Sequence, residues 1–126
     1  MLEHILCVED DPDIQVVARL ALAAIGGLQV TLCSSGAEAL ERAPALAPDM
    51  ILLDVMMPGM DGPTTLAALR QDPALQHVPI AFMTARVQPE EVAHYTALGA
   101  CGVIAKPFDP MTLADEVKAL WHKERP

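Results

Sequence analysis

The chain has 126 residues and a mass of 13.5 kDa, enough for one domain whose folding hides roughly two-thirds of the unfolded surface. Hydrophobic residues make up 52% and charged residues 20%, which excludes a disordered chain. Formal net charge is −9 and the Lys and Arg residues are scattered with no basic stripe, which disfavours direct binding to nucleic acid or anionic lipid.

In chain order, short apolar runs alternate with longer helical stretches. Strands are expected at 4–8, 28–33, 50–53, 80–83 and 103–105. Four are nearly continuous hydrophobic runs, as parallel strands covered on both faces require. In the second, Leu28, Val30 and Leu32 alternate with Gln29 and Thr31, the pattern of a half-covered edge. Helices are expected at 12–25, 36–46, 62–71, 88–98 and 110–123. Pro12, Pro63, Pro89 and Pro110 stand where helices begin, a position that needs no amide hydrogen, and Asp11, Asp61 and Asp109 precede three of them as caps. Gly26, Gly27 and Gly99 mark helix ends. Leu113, Val117, Leu120 and Trp121 line one face of the last helix. Five strand–helix units with right-handed crossovers give an α/β fold, a doubly wound parallel sheet between two helical layers. With no linker or repeat, residues 1–126 read as a single domain with no output domain in this chain.

The longest weakly polar stretch, 14–28, is broken by Gln15, Arg19 and two glycines, too short to span a bilayer. The N-terminus lacks the basic region and cleavage site of a signal peptide. Cys7, Cys33 and Cys101 are far apart and lie in apolar runs, reading as reduced thiols of a cytoplasmic protein. His4, His77, His94 and His122 share no metal-ligand spacing, which argues against zinc.

Ligands of open α/β sheets gather beyond the carboxyl ends of the strands. There the first strand delivers Glu9 and Asp10, followed by Asp11; the third delivers Asp54, the fourth Thr84 and the fifth Lys106. Two like charges about 4 Å apart cost on the order of 4 kcal/mol at an effective dielectric of 20. A hard divalent cation removes that cost, and an oxygen-only donor set favours Mg²⁺. Unrelated solvated caps account for Asp11, which precedes Pro12, but not for Asp54 directly after an apolar strand. An aspartate is a competent nucleophile toward phosphorus, and phosphoryl transfer asks the protein mainly for alignment and charge neutralisation.

The motifs ILCVEDDPDI, DMILLDVMMPGMDG, FMTAR and GVIAKPF, in this order and spacing, resemble the receiver domain of two-component response regulators over essentially the whole chain. The resemblance implies a flavodoxin-like sandwich of five strands in the order 2-1-3-4-5 with five helices. It implies Asp54 as phosphoacceptor, with Thr84 and Lys106 contacting the phosphoryl group. Asp10 and Asp54 would ligate Mg²⁺ through side chains, Met56 through its backbone carbonyl and Glu9 through water. It also implies a cis bond at Lys106–Pro107. The partners implied are a histidine kinase or histidine phosphotransfer protein and a downstream protein target, the chain being a monomer or a weak phosphorylation-dependent dimer. Such a domain is a signalling switch that catalyses its own phosphorylation and slow hydrolysis, and is not classed as an enzyme.

Many receivers carry an aromatic residue three positions before the lysine; here it is Val103, so signal is expected to travel through the loop after Thr84 and the helix that follows. Met56 and Arg86, two residues after Asp54 and Thr84, overhang the site beside the small Ala85. Arg86 either shields the phosphate from water or sits in solvent. From Ile14 to Ile25 the only polar side chains are Gln15 and Arg19, and Val16, Leu20 and Ala23 are read as an apolar strip for a histidine-bearing helical partner. Three other readings fit less well. An aspartate-nucleophile phosphohydrolase needs a second acid where Met56 stands. A flavodoxin-like cofactor binder needs a phosphate cradle where Glu9, Asp10 and Asp11 stand. A degenerate receiver, acting only through protein contacts, has no need of all five site residues.

Overall fold

The computed structural model describes residues 1–124; Arg125, counted among the scattered basic residues, lies outside them. One parallel sheet is formed by β1 (His4–Val8), β2 (Gln29–Cys33), β3 (Met50–Asp54), β4 (Ile80–Thr84) and β5 (Gly102–Ala105), in the order β2-β1-β3-β4-β5. Five helices surround it: α1 (Pro12–Arg19), α2 (Gly36–Leu46), α3 (Gly62–Leu69), α4 (Pro89–Ala97) and α5 (Leu113–Glu124). This is the doubly wound architecture that the alternation of segments predicts.

Successive strand residues point to opposite faces, and each face has its own core. Ile5, Cys7, Leu52, Ala81 and Met83 pack under α1 and α5 with Leu22, Val117 and Trp121. Leu6, Val8, Ile51, Leu53 and Phe82 pack on the opposite face with Ala39, Leu66, Leu69 and Tyr95. Every residue of β3 and β4 is buried, so the centre of the sheet is a rigid floor.

The register decides where the chemistry lies. Val8 pairs with both Cys33 and Leu53, Asp54 with Met83, and Thr84 with Ala105. The residues that end β1, β3, β4 and β5 therefore emerge along one edge.

Asp11 and Asp61 cap α1 and α3 as expected, whereas Asp109 closes a turn at 110–112 ahead of α5, so Pro110 does not open that helix. Their Oδ1 atoms accept from the amides of Asp13 for Asp11, Thr64 for Asp61 and Met111 for Asp109, at 2.9, 2.9 and 2.8 Å. Several boundaries differ from the sequence reading. Helix α1 keeps α geometry only to Arg19, and Leu20–Ile25 is a π-helix, ending where the amide of Leu28 donates to the carbonyl of Leu22. The Lys118 ammonium donates to the carbonyl of Gly26, tying this end to α5. Helix α5 is regular only from Leu113, because residues 110–112 form the turn that Asp109 caps. Pro44 lies inside α2 but on its exposed side, where water can satisfy the carbonyl that loses its amide partner. Strand β5 is only partly covered, with Ala105 exposed, because it forms the second edge of the sheet. A short 3₁₀ turn at Pro73–Leu75 was not anticipated.

Candidate functional site

The carboxyl edge of the sheet brings Glu9, Asp10, Asp54 and Lys106 together, with Thr84 ending the strand between Asp54 and Lys106, whereas the exposed Asp11 caps α1 instead. Glu9 is 1% exposed, Asp54 3% and Thr84 4%, while Asp10 is half-buried. Carboxylate oxygens of Glu9, Asp10 and Asp54 lie within 4.8 Å of one another. Lys106 reaches into the cluster, its ammonium donating to Glu9 Oε1 at 2.8 Å and to Asp54 Oδ1 at 3.2 Å.

Each side chain is held by local structure. The amide of Glu9 donates to the carbonyl of Cys33, continuing the β1–β2 ladder by one residue, and Glu9 Oε2 accepts from the amide of Asp11. Asp54 is the last residue of β3, and the chain beyond it is pinned on two sides. The amide of Val55 donates to the carbonyl of Met83, and that of Gly62, opening α3, donates to the carbonyl of Val55. Thr84 Oγ1 accepts from the amide of Arg86 at 3.0 Å, so its own hydrogen stays available to a phosphoryl or other oxyanion. The amide of Lys106 donates to the carbonyl of Thr84, and Lys106–Pro107 is cis, as the resemblance implies.

Three carboxylates against one ammonium leave the notch with a formal charge of about −2, and the balance shows in the protonation equilibria. Burial pushes the Glu9 carboxyl up to about 6, with hydrogen bonds from Lys106 and the Asp11 amide working against the rise and the charge of Asp54 adding to it. For Lys106, burial alone favours the neutral amine, but the hydrogen bond with Glu9 and the negative charges of Asp54 and Glu9 outweigh it and hold the ammonium above the ordinary lysine value. Behind them, burial and then the charges of Glu9 and Asp54 push the Cys7 thiol up to about 12. A thiol held so firmly neutral is no nucleophile, which leaves the carboxylates as the reactive groups.

The donor set suits a hard divalent cation: oxygens only, excess negative charge and one half-buried member reachable from solvent. Met56 and Arg86 are exposed at the rim, Met56 by 78%, and Val103 is half-buried on β5. The sequence motifs assign no role to Gln15. Its side-chain amide donates to the carbonyl of Glu9 at 2.5 Å and to Ser34 Oγ at 3.3 Å. An isolated glutamine on a helix carries no spacing signal that would reveal this.

Comparison with known proteins agrees with the geometry. The sequence model of the response regulator receiver domain matches residues 5–118. The phosphate regulon transcriptional regulatory protein PhoB of Rhizobium meliloti is 36% identical over 126 residues, covering 100% of this chain and 55% of that protein. The DNA-binding response regulator MtrA of Mycolicibacterium smegmatis is 34% identical over 119 residues, covering 94% of this chain and 50% of that protein. The chain thus spans about half the length of the curated relatives it matches. Among solved structures, the chemotaxis response regulator CheY4 of Vibrio cholerae superposes with a TM-score of 0.87 at 31% identity, covering 95% of this chain and 99% of that one. The N-terminal domain of a response regulator receiver protein from Methanoculleus marisnigri gives a TM-score of 0.76 at 36% identity, covering 97% and 96%.

Proposed function

The chain belongs to the response regulator receiver family, and from that premise we propose that Asp54 accepts a phosphoryl group from a phosphohistidine on a histidine kinase or histidine phosphotransfer protein. The observation that carries this reading is the 3.2 Å contact between Lys106 and the buried carboxylate of Asp54, beside the carboxylates of Glu9 and Asp10.

In the forward step an Asp54 oxygen attacks phosphorus, the N–P bond breaks with its electron pair staying on the imidazole, and an acyl phosphate forms. Asp54 does not travel, since β3 is buried throughout and Val55 is pinned. Lys106 offers its charge to a phosphoryl oxygen, and the Thr84 hydroxyl donates to another. Magnesium would be held by Asp10, Asp54 and the backbone carbonyl of Met56, with Glu9 acting through water, and would supply the remaining neutralisation of the phosphoryl oxygens. In hydrolysis water attacks phosphorus, the bond between phosphorus and the Asp54 oxygen breaks, and inorganic phosphate leaves with the carboxylate restored. The protein is in this reading a switch with self-directed chemistry and not an enzyme acting on a separate substrate.

Surface changes start at Thr84. With Val103 supplying no ring to swing, movement is carried by the loop after Thr84 and by α4. The phosphodonor docks beside α1, where Val16 and Leu20 are 69% and 50% exposed and line a groove of about 660 Å³ with Ala23 and Leu32. The groove starts one helical turn from the acidic end, within reach of a helix that carries the histidine. DNA binding belongs to the names of longer relatives; the charge of −9 supports protein partners for this chain and not direct contact with nucleic acid. No helix among the described residues is long and apolar enough to cross a membrane, and three free, buried cysteines support a reducing, cytoplasmic setting.

The test is incubation with Mg²⁺ and acetyl phosphate followed by intact mass. One added phosphoryl group, absent in Asp54→Ala, is the expected result. An unmodified wild-type protein, or equal modification of the variant, would refute the assignment.

A further inference from the structure

We propose that Gln15 is a positioning residue that holds the Glu9–Asp10 turn in its cation-binding shape, a proposal that rests on the receiver reading above. The starting point is a backbone carbonyl. The amide of Glu9 still finds the carbonyl of Cys33, at 3.0 Å. A parallel ladder continued one step further would give the Glu9 carbonyl an amide from the β2 side. The chain turns away there: the amide of Ser34 donates to Glu38 Oε1, and Ser35 caps α2 through the amide of Glu38. A carbonyl left without a partner on a buried residue forfeits the hydrogen bond that water would have given it. The Gln15 side-chain amide takes the vacated position at 2.5 Å and touches Ser34 Oγ at 3.3 Å.

Gln15 also acts through its main chain. Its backbone amide donates to the carbonyl of Asp11 at 3.0 Å. One residue thus clamps the carbonyl before Asp10 and the carbonyl after it. The Glu9–Asp10 peptide is planar, so fixing its oxygen fixes the plane from which Asp10 projects. The other polar atoms of Glu9 are already committed, Oε1 to Lys106 and Oε2 to the amide of Asp11. The Gln15 amide is then what sets Asp10, the half-buried carboxylate, against the two buried ones.

The chemistry of the side chain fits this task. A lysine or arginine would place a competing positive charge beside the notch, and a glutamate would present an oxygen to an oxygen. A neutral donor of this length orients the turn and leaves its negative charge intact.

The experiment compares wild type with Gln15→Met, which keeps length and loses the donor, and with Gln15→Leu, which loses the donor without adding charge. Mg²⁺ alone is titrated into the full chain by calorimetry, and the acetyl phosphate reaction is followed at saturating Mg²⁺. Partners that orient metal ligands through hydrogen bonds are worth about 10-fold or more in affinity. Both variants are expected to bind Mg²⁺ roughly 10-fold more weakly. The saturated phosphorylation rate stays within a factor of about two for Gln15→Met, as for a lost ground-state interaction. A purely structural role would lower the melting temperature and leave the Mg²⁺ dissociation constant unmoved, and that result overturns the proposal. Failure of the wild type itself to bind Mg²⁺ or to take up phosphate overturns the receiver reading and this inference together, whereas a reactive wild type with unchanged variants removes the inference alone.

Discussion

Gly62 opens α3 against the backbone of Asp54, the proposed phosphoacceptor, and adding one methyl group there tests how tightly the floor of the site is built. A Cβ at Gly62 would lie 2.5 Å from the carbonyl oxygen of Asp54 and 2.8 Å from the Cα of Val55. Ordinary contact begins near 3.4 Å, so Gly62→Ala must open the gap by about 0.9 Å. No flexible side chain is available to yield. The obstacle is backbone, held by the 2.9 Å bond from the Gly62 amide to the carbonyl of Val55 and by the buried length of β3. Overpacking of this kind costs about 1–3 kcal/mol, or roughly 4–10 °C in melting temperature for a domain of this size. Displacing a reacting group by close to 1 Å costs on the order of 100-fold in rate, so phosphorylation of Gly62→Ala by acetyl phosphate is expected to slow by roughly 10- to 100-fold. Gly27→Ala is the control. Gly27 has φ of +72° and nothing within 4 Å of a new Cβ, so the substitution brings about 1–2 kcal/mol of backbone strain, far from the site. Equal rates in the two variants at comparable stability would refute the claim that α3 sets the position of Asp54.

Lys106→Met removes the cation that Glu9 and Asp54 share; Mg²⁺ affinity by calorimetry should rise while phosphorylation at saturating Mg²⁺ falls by roughly 100-fold. Because Glu9 is raised from 4.5 to about 6 in the folded chain, its contribution to stability is complete below pH 4.5 and is lost as pH rises through 6. Relative to Glu9→Gln, the metal-free wild type should lose on the order of 2 kcal/mol across that window in urea denaturation, whereas a constant difference would contradict the burial argument. Leu20→Asp should slow phosphotransfer from a cognate kinase at least about 10-fold and leave acetyl phosphate labelling unchanged; equal kinase rates would remove the α1 groove as the docking surface.

The residues at the strand ends were legible because three features coincide: an apolar run, a charged or hydroxyl residue at its carboxyl end, and a proline or glycine that restarts a helix. Asp54 after Met50–Leu53 shows all three, with Gly62 and Pro63 beyond it. Capping was legible for the same reason, since Asp11, Asp61 and Asp109 act on amides two or three residues away. Long-range effects were not. The π-helix at Leu20–Ile25 depends on α5, where a Cβ on Gly26 would meet Ala114 at 2.5 Å and where Lys118 binds the Gly26 carbonyl. The exposure of β5 follows from its place at the edge, not from its composition. Gln15 acts on a carbonyl that lacks a partner only because β2 bends away at Ser34, a fact of topology that no local pattern carries.

A tethered ammonium already occupies the place where a mobile ion would bring relief. Short tethers produce effective concentrations in the millimolar range, so Lys106 is a standing competitor that never diffuses away. Sodium and potassium, singly charged like Lys106 itself, gain nothing by exchanging with it. An ion of double valence would gain, so a notch with this built-in cation would select by charge number before coordination geometry is consulted.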